Sequence, residues 1–247
     1  SVNAKGRTAV VTGASGAAAL AVVRALLEEG IQVALVDADA MRLDSLIRFL
    51  RGTTVAVPCE SMDPGAVAEA LRRVEKVLGV VDILVNCVEA IPVSRIEATE
   101  PDEWRRVSAQ HLDGPYYWSR ALIPGMRTRH GGRIVNVVSL AAKGAGAEMG
   151  AALAAAHGGL ATLTFALARE TAAQGITVNA IAAGAFEGSA AIEPLNESQR
   201  RQLLAQIPVG RFGKPEELAH AVRFLVSPLA GFITGEILDV NGGVMMD

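Results

Sequence analysis

Seven short apolar runs punctuate the chain: RTAVVT (7–12), IQVALVD (31–37), TTVAVP (53–58), VDILVN (81–86), GRIVNVVS (132–139), GITVNAIA (175–182) and GEILDVN (235–241). They are rich in Val and Ile and mostly do not alternate with polar residues, the pattern of strands covered on both faces. Between them lie stretches of helix length, over 17–29, 39–50, 63–78, 101–128, 149–173, 196–205 and 214–227. Asp63-Pro64 and Lys214-Pro215-Glu216-Glu217 read as helix starts, since proline suits the first helical turn and an acid there accepts orphan amide hydrogens. This alternation predicts an α/β fold, a Rossmann-type doubly wound sheet of seven parallel strands, in one domain spanning residues 1–247.

Composition narrows the function classes. The chain has 247 residues, 51% of them hydrophobic, enough for one large core. A net charge of −3 with both signs interspersed marks no nucleic-acid or membrane surface. Glycine and charge interrupt every apolar run of membrane-span length, so no transmembrane helix is expected. The opening SVNAKGRTAVVTG carries no signal-peptide pattern, so a cytoplasmic location is expected, with Cys59 and Cys87 as reduced, packed thiols. They have no metal-ligand spacing, and no metal site is expected.

AVVTGAS opening a helix, then VALVD, VDILVN, GGRIVNVVSL, GITVNAIA and finally PVGRFGKPEELAHAVRFLVSPLAGFITGEILDVNGG resemble the short-chain dehydrogenase/reductase family nearly end to end. The resemblance implies NAD(P)-linked hydride transfer and a tetramer. Fold alone does not establish that function, so the site is read separately.

The family's phosphate turn, Thr-Gly-x-x-x-Gly-x-Gly, here reads Thr12-Gly13-Ala14-Ser15-Gly16-Ala17-Ala18-Ala19. Gly13 survives, Ala17 and Ala19 replace the later glycines, and Gly16 is a partial substitute. Alanine at a position needing positive φ would add roughly 1 kcal/mol of strain. Asp37 ends the second strand 24 residues after Gly13, where an acid suits a ribose and favours NAD; it equally suits a strand-end turn. Glu60 stands at the family's adenine-side aspartate, Asn86 keeps its strand-end place, Glu89 replaces a glycine lying against the cofactor, and Gly188 replaces the carboxamide-binding threonine.

Carbonyl reduction also needs a proton partner, which the family takes from a tyrosine whose pKa a nearby lysine lowers. Ser139 in NVVSL matches the family's substrate-orienting serine, and His111, seven residues after Trp104, takes the place of its asparagine. Counting back thirteen residues from Glu170 in GGLATLTFALARE puts His157 at the lysine position and Leu153 at the tyrosine position. A one-residue shift gives Ala152 and Ala156, and Tyr116 and Tyr117 belong to another helix, where they are expected in the core.

These losses lead to the expectation of a non-catalytic subunit (a pseudoenzyme) in a heteromeric NAD-dependent dehydrogenase of the 3-hydroxyacyl-CoA type. The (hydroxybenzyl)succinyl-CoA dehydrogenases, which pair a degenerate subunit with an active one, are the likeness. On this expectation Ser139 is a vestige, His111, Leu153 and His157 are degenerate positions, and Gly13, Asp37 and Asn86 are remnants. On the same expectation the chain itself binds no cofactor, NAD sits in a partner subunit, and the chain assembles either with an active relative, as a heterotetramer, or with itself. Two alternatives stay open: a repurposed cofactor-independent enzyme using His157 and Glu148, and a residual NAD(P)-dependent oxidoreductase.

Overall fold

Each apolar run forms a strand: β1 (Thr8–Thr12), β2 (Gln32–Asp37), β3 (Thr54–Pro58), β4 (Ile83–Asn86), β5 (Gly132–Ser139), β6 (Ile176–Ala183) and β7 (Ile237–Val240). The structure, a computed structural model, describes residues 6–59, 63–144 and 149–246. All seven strands lie parallel in one sheet ordered β3-β2-β1-β4-β5-β6-β7. The order reverses between β1 and β4, and ligands of open α/β sheets bind beyond the carboxyl ends of the strands at such a point.

The helices are α1 (Ala17–Glu28), α2 (Ala40–Ile47), α3 (Pro64–Leu78), α4 (Pro101–Ser108), α5 (Gly114–Thr128), α6 (Ala151–Thr171), α7 (Glu197–Leu204) and α8 (Pro215–Val226). Side chains alternate across each strand, so the sheet feeds two cores. Val11, Leu35, Ile83 and Val85 pack with Val22 and Leu26 of α1 and Val222 of α8. Val10, Val36, Leu84 and Ile134 pack with Val74 of α3 and Trp118 and Met126 of α5.

The helix starts read from sequence work as expected. The Asp63 carboxylate accepts from the Gly65 and Ala66 amides at 2.8 and 2.9 Å. Glu217 accepts from the Lys214 amide at 2.8 Å. The expected helix over 101–128 is instead three pieces, α4 and α5 joined by one π-helical turn, Ala109–Asp113. That wide turn carries His111 inward, where it is 7% exposed.

α6 and the turn after it, Ala151–Gln174, are long and apolar enough by composition to cross a membrane. Here Leu153, Leu160, Thr164 and Leu167 are buried, and the helix runs along β5 and β6 as a core element. Between β6 and α8 the chain makes a long excursion that includes α7 and its own small core of Ile192, Ile207 and Phe212.

Candidate functional site

The turn after β1 is shaped by a close crossing. Gly13 has φ 65°, and a Cβ built on it would lie 2.6 Å from Val88 Cα and 2.7 Å from the Cys87 carbonyl oxygen. Only glycine fits, because the loop after β4 passes directly over it. Gly16 then caps α1 with extended backbone, and no side chain hydrogen-bonds the helix's first amides. Such an end attracts an anion, since free N–H groups and the helix dipole point the same way. Ala17 and Ala19 lie within the helix, and His130 is the one described non-glycine residue with positive φ. The conditional strain at these two alanines therefore does not arise.

Two acids border this turn. The Asp37 carboxylate accepts from the Ser15 amide at 3.0 Å, the Ser15 hydroxyl at 2.7 Å and the Asp39 amide at 3.2 Å. Oδ1 takes only the last of these, so it keeps acceptor capacity for a further hydroxyl. Glu89 reaches across the cleft mouth: Oε1 accepts from the Ala190 amide at 2.8 Å. Oε2 lies 3.5 Å from where a Gly16 Cβ would stand. Burial pushes the Glu89 carboxyl up, while the Ala190 hydrogen bond and the charge of Arg42 on α2 pull it back down. Gly188, with φ 74°, lies against Ala17, where a Cβ would touch the Ala17 Cβ at 3.4 Å.

Beneath the turn runs a dry seam of polar side chains. Thr12 Oγ1 donates to Asn86 Oδ1 at 3.5 Å, Asn86 Nδ2 to Asn136 Oδ1 at 2.8 Å, and Asn136 Nδ2 to Thr164 Oγ1 at 3.0 Å. All four residues are buried, so each bond compensates the loss of water from both partners. Asn86 thus ties strand ends together.

Ser139, His157 and His111, three of the four expected catalytic positions, converge at the end of β5. His157 Nδ1 accepts from the Ser139 amide at 2.6 Å, and His157 Nε2 lies 3.0 Å from His111 Nδ1. Because Nδ1 accepts, the proton of the neutral ring sits on Nε2 and is donated to His111. Burial drives His157 down to about 3, with His111 adding to the effect, and drives His111 down to about 4, with Arg106 adding to it. Both rings are neutral near pH 7, and His157 has no nitrogen left for a substrate. Leu153 is fully buried among Val107, Ala152 and Ala156. Ser139 Oγ accepts from the Ala141 amide at 3.3 Å, which leaves its hydroxyl hydrogen available.

These ends are joined by a cleft of about 420 Å3 whose walls include Gly16, Ala19, Glu89, Ser139, His157 and Gly184. Its outer wall comes from the β6–α8 excursion, with Ile192, Leu195 and Leu203, together with Pro92 and Met149. Sequence reading missed this apolar wall; its signal was the cluster of apolar positions between 192 and 207. It also missed the Glu89–Ala190 bond and the pairing of His111 with His157. Cys87 lines the cleft floor, and burial pushes its thiol up to about 12, which makes it an inert packed group. Tyr117 packs on the core as expected, whereas Tyr116 is 42% exposed, a correction that follows from its place on the outer face of α5. Glu60 and Glu148 lie outside the described residues, and no group of metal-ligating side chains occurs among those described.

Comparison with known proteins bears on what this cleft does. A family model described as enoyl-(acyl carrier protein) reductase matches residues 13–245. The 3-oxoacyl-(acyl-carrier-protein) reductase FabG of Vibrio cholerae is 35% identical over 99% of this chain and 100% of that protein. The hydroxy(phenyl)methylsuccinyl-CoA dehydrogenase subunit BbsC of Thauera aromatica is also 35% identical, over 98% of this chain and 95% of that one. The crystal structure of 3-ketoacyl-(acyl-carrier-protein) reductase from Brucella melitensis, complexed with NADH, superposes with a TM-score of 0.91 at 30% identity, covering 98% and 99% of the two chains.

Two expectations are corrected by these findings. The non-catalytic subunit is overturned by full-length relatives that bear the names of reductases, and neither a pseudoenzyme nor a heterotetramer gains support from them. The expectation that this chain binds no cofactor, with NAD confined to a partner, is overturned by the NADH complex of so close a structural relative. The physical reason is that replaced residues were counted as lost sites, whereas the turn at Gly13, the bare end of α1 and the cleft all persist around them. By sequence along its whole length and by fold, this chain belongs to the short-chain dehydrogenase/reductase family.

Proposed function

We propose that this chain binds NAD(H) in its own cleft and acts as a cytoplasmic oxidoreductase on the carbonyl of a 3-oxoacyl thioester, or on the matching 3-hydroxyacyl thioester in reverse. The carrying observation is the continuous cleft from Gly16 to Ser139, of a size and apolar character suited to one small-molecule site. The residues fit the nucleotide: α1 presents bare amides, and Asp37 Oδ1 retains an acceptor for a ribose hydroxyl, which favours NAD over NADP. The thioester class comes from the activities for which the full-length relatives are named.

The nucleotide, when bound, supplies or accepts the hydride. Ser139 donates a hydrogen bond to the substrate oxygen and so orients the carbonyl, and solvent water supplies the proton that the reduced oxygen takes up, or receives it in the reverse direction. The His111–His157 pair acts from behind, fixing the Ser139 backbone through its amide. With Leu153 where the family carries a titrating tyrosine, turnover is slow, on the order of 10²–10⁴-fold below that of a relative with the full acid–base set. The exposed Trp104 on α4, Tyr116 on α5 and Phe165 on α6 suit assembly with a second copy of the chain.

The test is calorimetric titration with NADH followed by an NADH-oxidation assay with acetoacetyl-CoA. Binding with slow turnover is expected, and Ser139→Ala should cut kcat at least about tenfold while leaving NADH affinity unchanged. A chain that binds no NADH at millimolar concentration refutes the reading.

A further inference from the structure

Glu89 sits where the resemblance puts a glycine against the cofactor, and the structure gives its carboxylate two engagements. One oxygen is held by the Ala190 amide, across 101 residues of sequence. The other faces Gly16 at the bare end of α1, the end that no side chain caps. The carboxylate thereby spans from the loop after β4 to the segment after β6, over the spot where a diphosphate would meet the helix. Gly188, two residues before Ala190, is laid against Ala17 in the same arrangement. A carboxylate standing beside the end of the helix repels a second anion that the bare amides would otherwise attract.

We propose that Glu89 is a built-in competitor of the nucleotide's diphosphate: its carboxylate, held by the Ala190 amide, places a negative charge beside the bare end of α1 and bolts the Gly188–Ala190 segment over the cleft, and nucleotide binds by displacing it. This rests on the reading of a nucleotide site in this cleft. Displacement frees the Ala190 amide and leaves Arg42, the cation whose charge reaches Glu89, to the incoming phosphates. Glu89 is therefore the determinant of how tightly this chain holds a dinucleotide, and it couples that affinity to the position of the segment leading into α7.

The experiment compares the wild-type chain with Glu89→Gln by calorimetric titration at pH 8, using NADH, ADP-ribose and adenosine as probes. The glutamine keeps an acceptor for the Ala190 amide and removes the charge, so the fold is retained; a thermal melt checks this. Glu89→Gln should bind NADH and ADP-ribose at least tenfold tighter than the wild type, with no gain for adenosine, which has no phosphate. Amide exchange at Ala190 should speed up in the wild type when NADH binds. Equal NADH affinities in the two proteins, or an equal gain for adenosine, overturn the proposal and leave the nucleotide site standing. If neither protein binds any probe at millimolar concentration, the nucleotide reading itself falls and takes the proposal with it.

Discussion

Acid should weaken this protein well before its carboxylates protonate, because of the His111–His157 pair. In the folded chain every acceptor the pair uses is filled: Ser139 donates to His157 Nδ1, and His157 Nε2 meets His111 Nδ1. A proton added to either acceptor breaks a hydrogen bond and places a charge in a buried site. The folded values therefore lie near 4 and 3, below the ordinary 6.5 that applies to the unfolded chain. A depressed folded value means that the unfolded state binds more protons as pH falls. The stabilisation is thus complete above about pH 6.5 and is lost progressively toward the folded values. Between pH 7 and pH 5 each ring contributes a loss of about 2 kcal/mol, or about 4 kcal/mol for the pair, and this holds for any folded values at or below about 4. Urea unfolding at fixed protomer concentration, at both pH values, measures it. The His111→Gln/His157→Gln double variant should start less stable at pH 7 but lose at most about 1 kcal/mol to pH 5 from these positions. Every other side chain is common to both proteins, so the difference isolates the pair. If the double variant loses as much stability as the wild type over this range, the rings are not held neutral by burial.

Three other outcomes are expected. Gly13→Ala meets both a φ of 65° and the Val88 backbone at 2.6 Å; it should cost at least about 2 kcal/mol, and an unchanged melting temperature would contradict the crossing. Installing the family's acid–base set through His111→Asn, Leu153→Tyr and His157→Lys should raise kcat by about 10²-fold or more, the rate checked by NADH oxidation. No gain in a folded triple variant shows that the proton travels another way. Asp37→Asn removes the charged acceptor beside Ser15 and should weaken NADH binding by roughly tenfold while improving relative affinity for NADPH, read by competitive titration; unchanged preference refutes its ribose role.

The scaffold was legible because its signals are local and redundant. VALVD and VDILVN can only be covered strands, and Asp63-Pro64 announces a helix within four residues. His157, reached by counting along α6, lies beside Ser139 at the end of β5, while Leu153 is buried against Val107. What the sequence hid depends on pairs far apart in the chain. His111 and His157 are 46 residues apart, and each alone reads as a tolerated polar residue. The π turn that aims His111 inward has no composition of its own. Glu89 looked like a simple intruder, because its partner is a backbone amide, a group no side-chain motif can reveal. The inference from replaced residues to lost function failed for a related reason. A turn held open by Gly13 and a cleft walled by Ile192 and Leu203 are properties of backbone and packing, and they outlast substitutions at Ala17, Ala19 and Gly188.

The seam from Thr12 through Asn86 and Asn136 to Thr164 sets an order of opening. It stitches β1, β4, β5 and α6 with side-chain bonds between buried residues. A fluctuation that parts any one of these strands must give up neighbouring bonds at once, so this centre forms the last-opening foldon of the protein. The excursion around α7 rests on a small separate core and belongs to the low-stability end of the same scale. Amide exchange should therefore separate into two tiers, slow at the centre of the sheet and fast around α7. On the proposed function, ligand exchange then runs through the rim around α7, with the end of β5 held at native geometry.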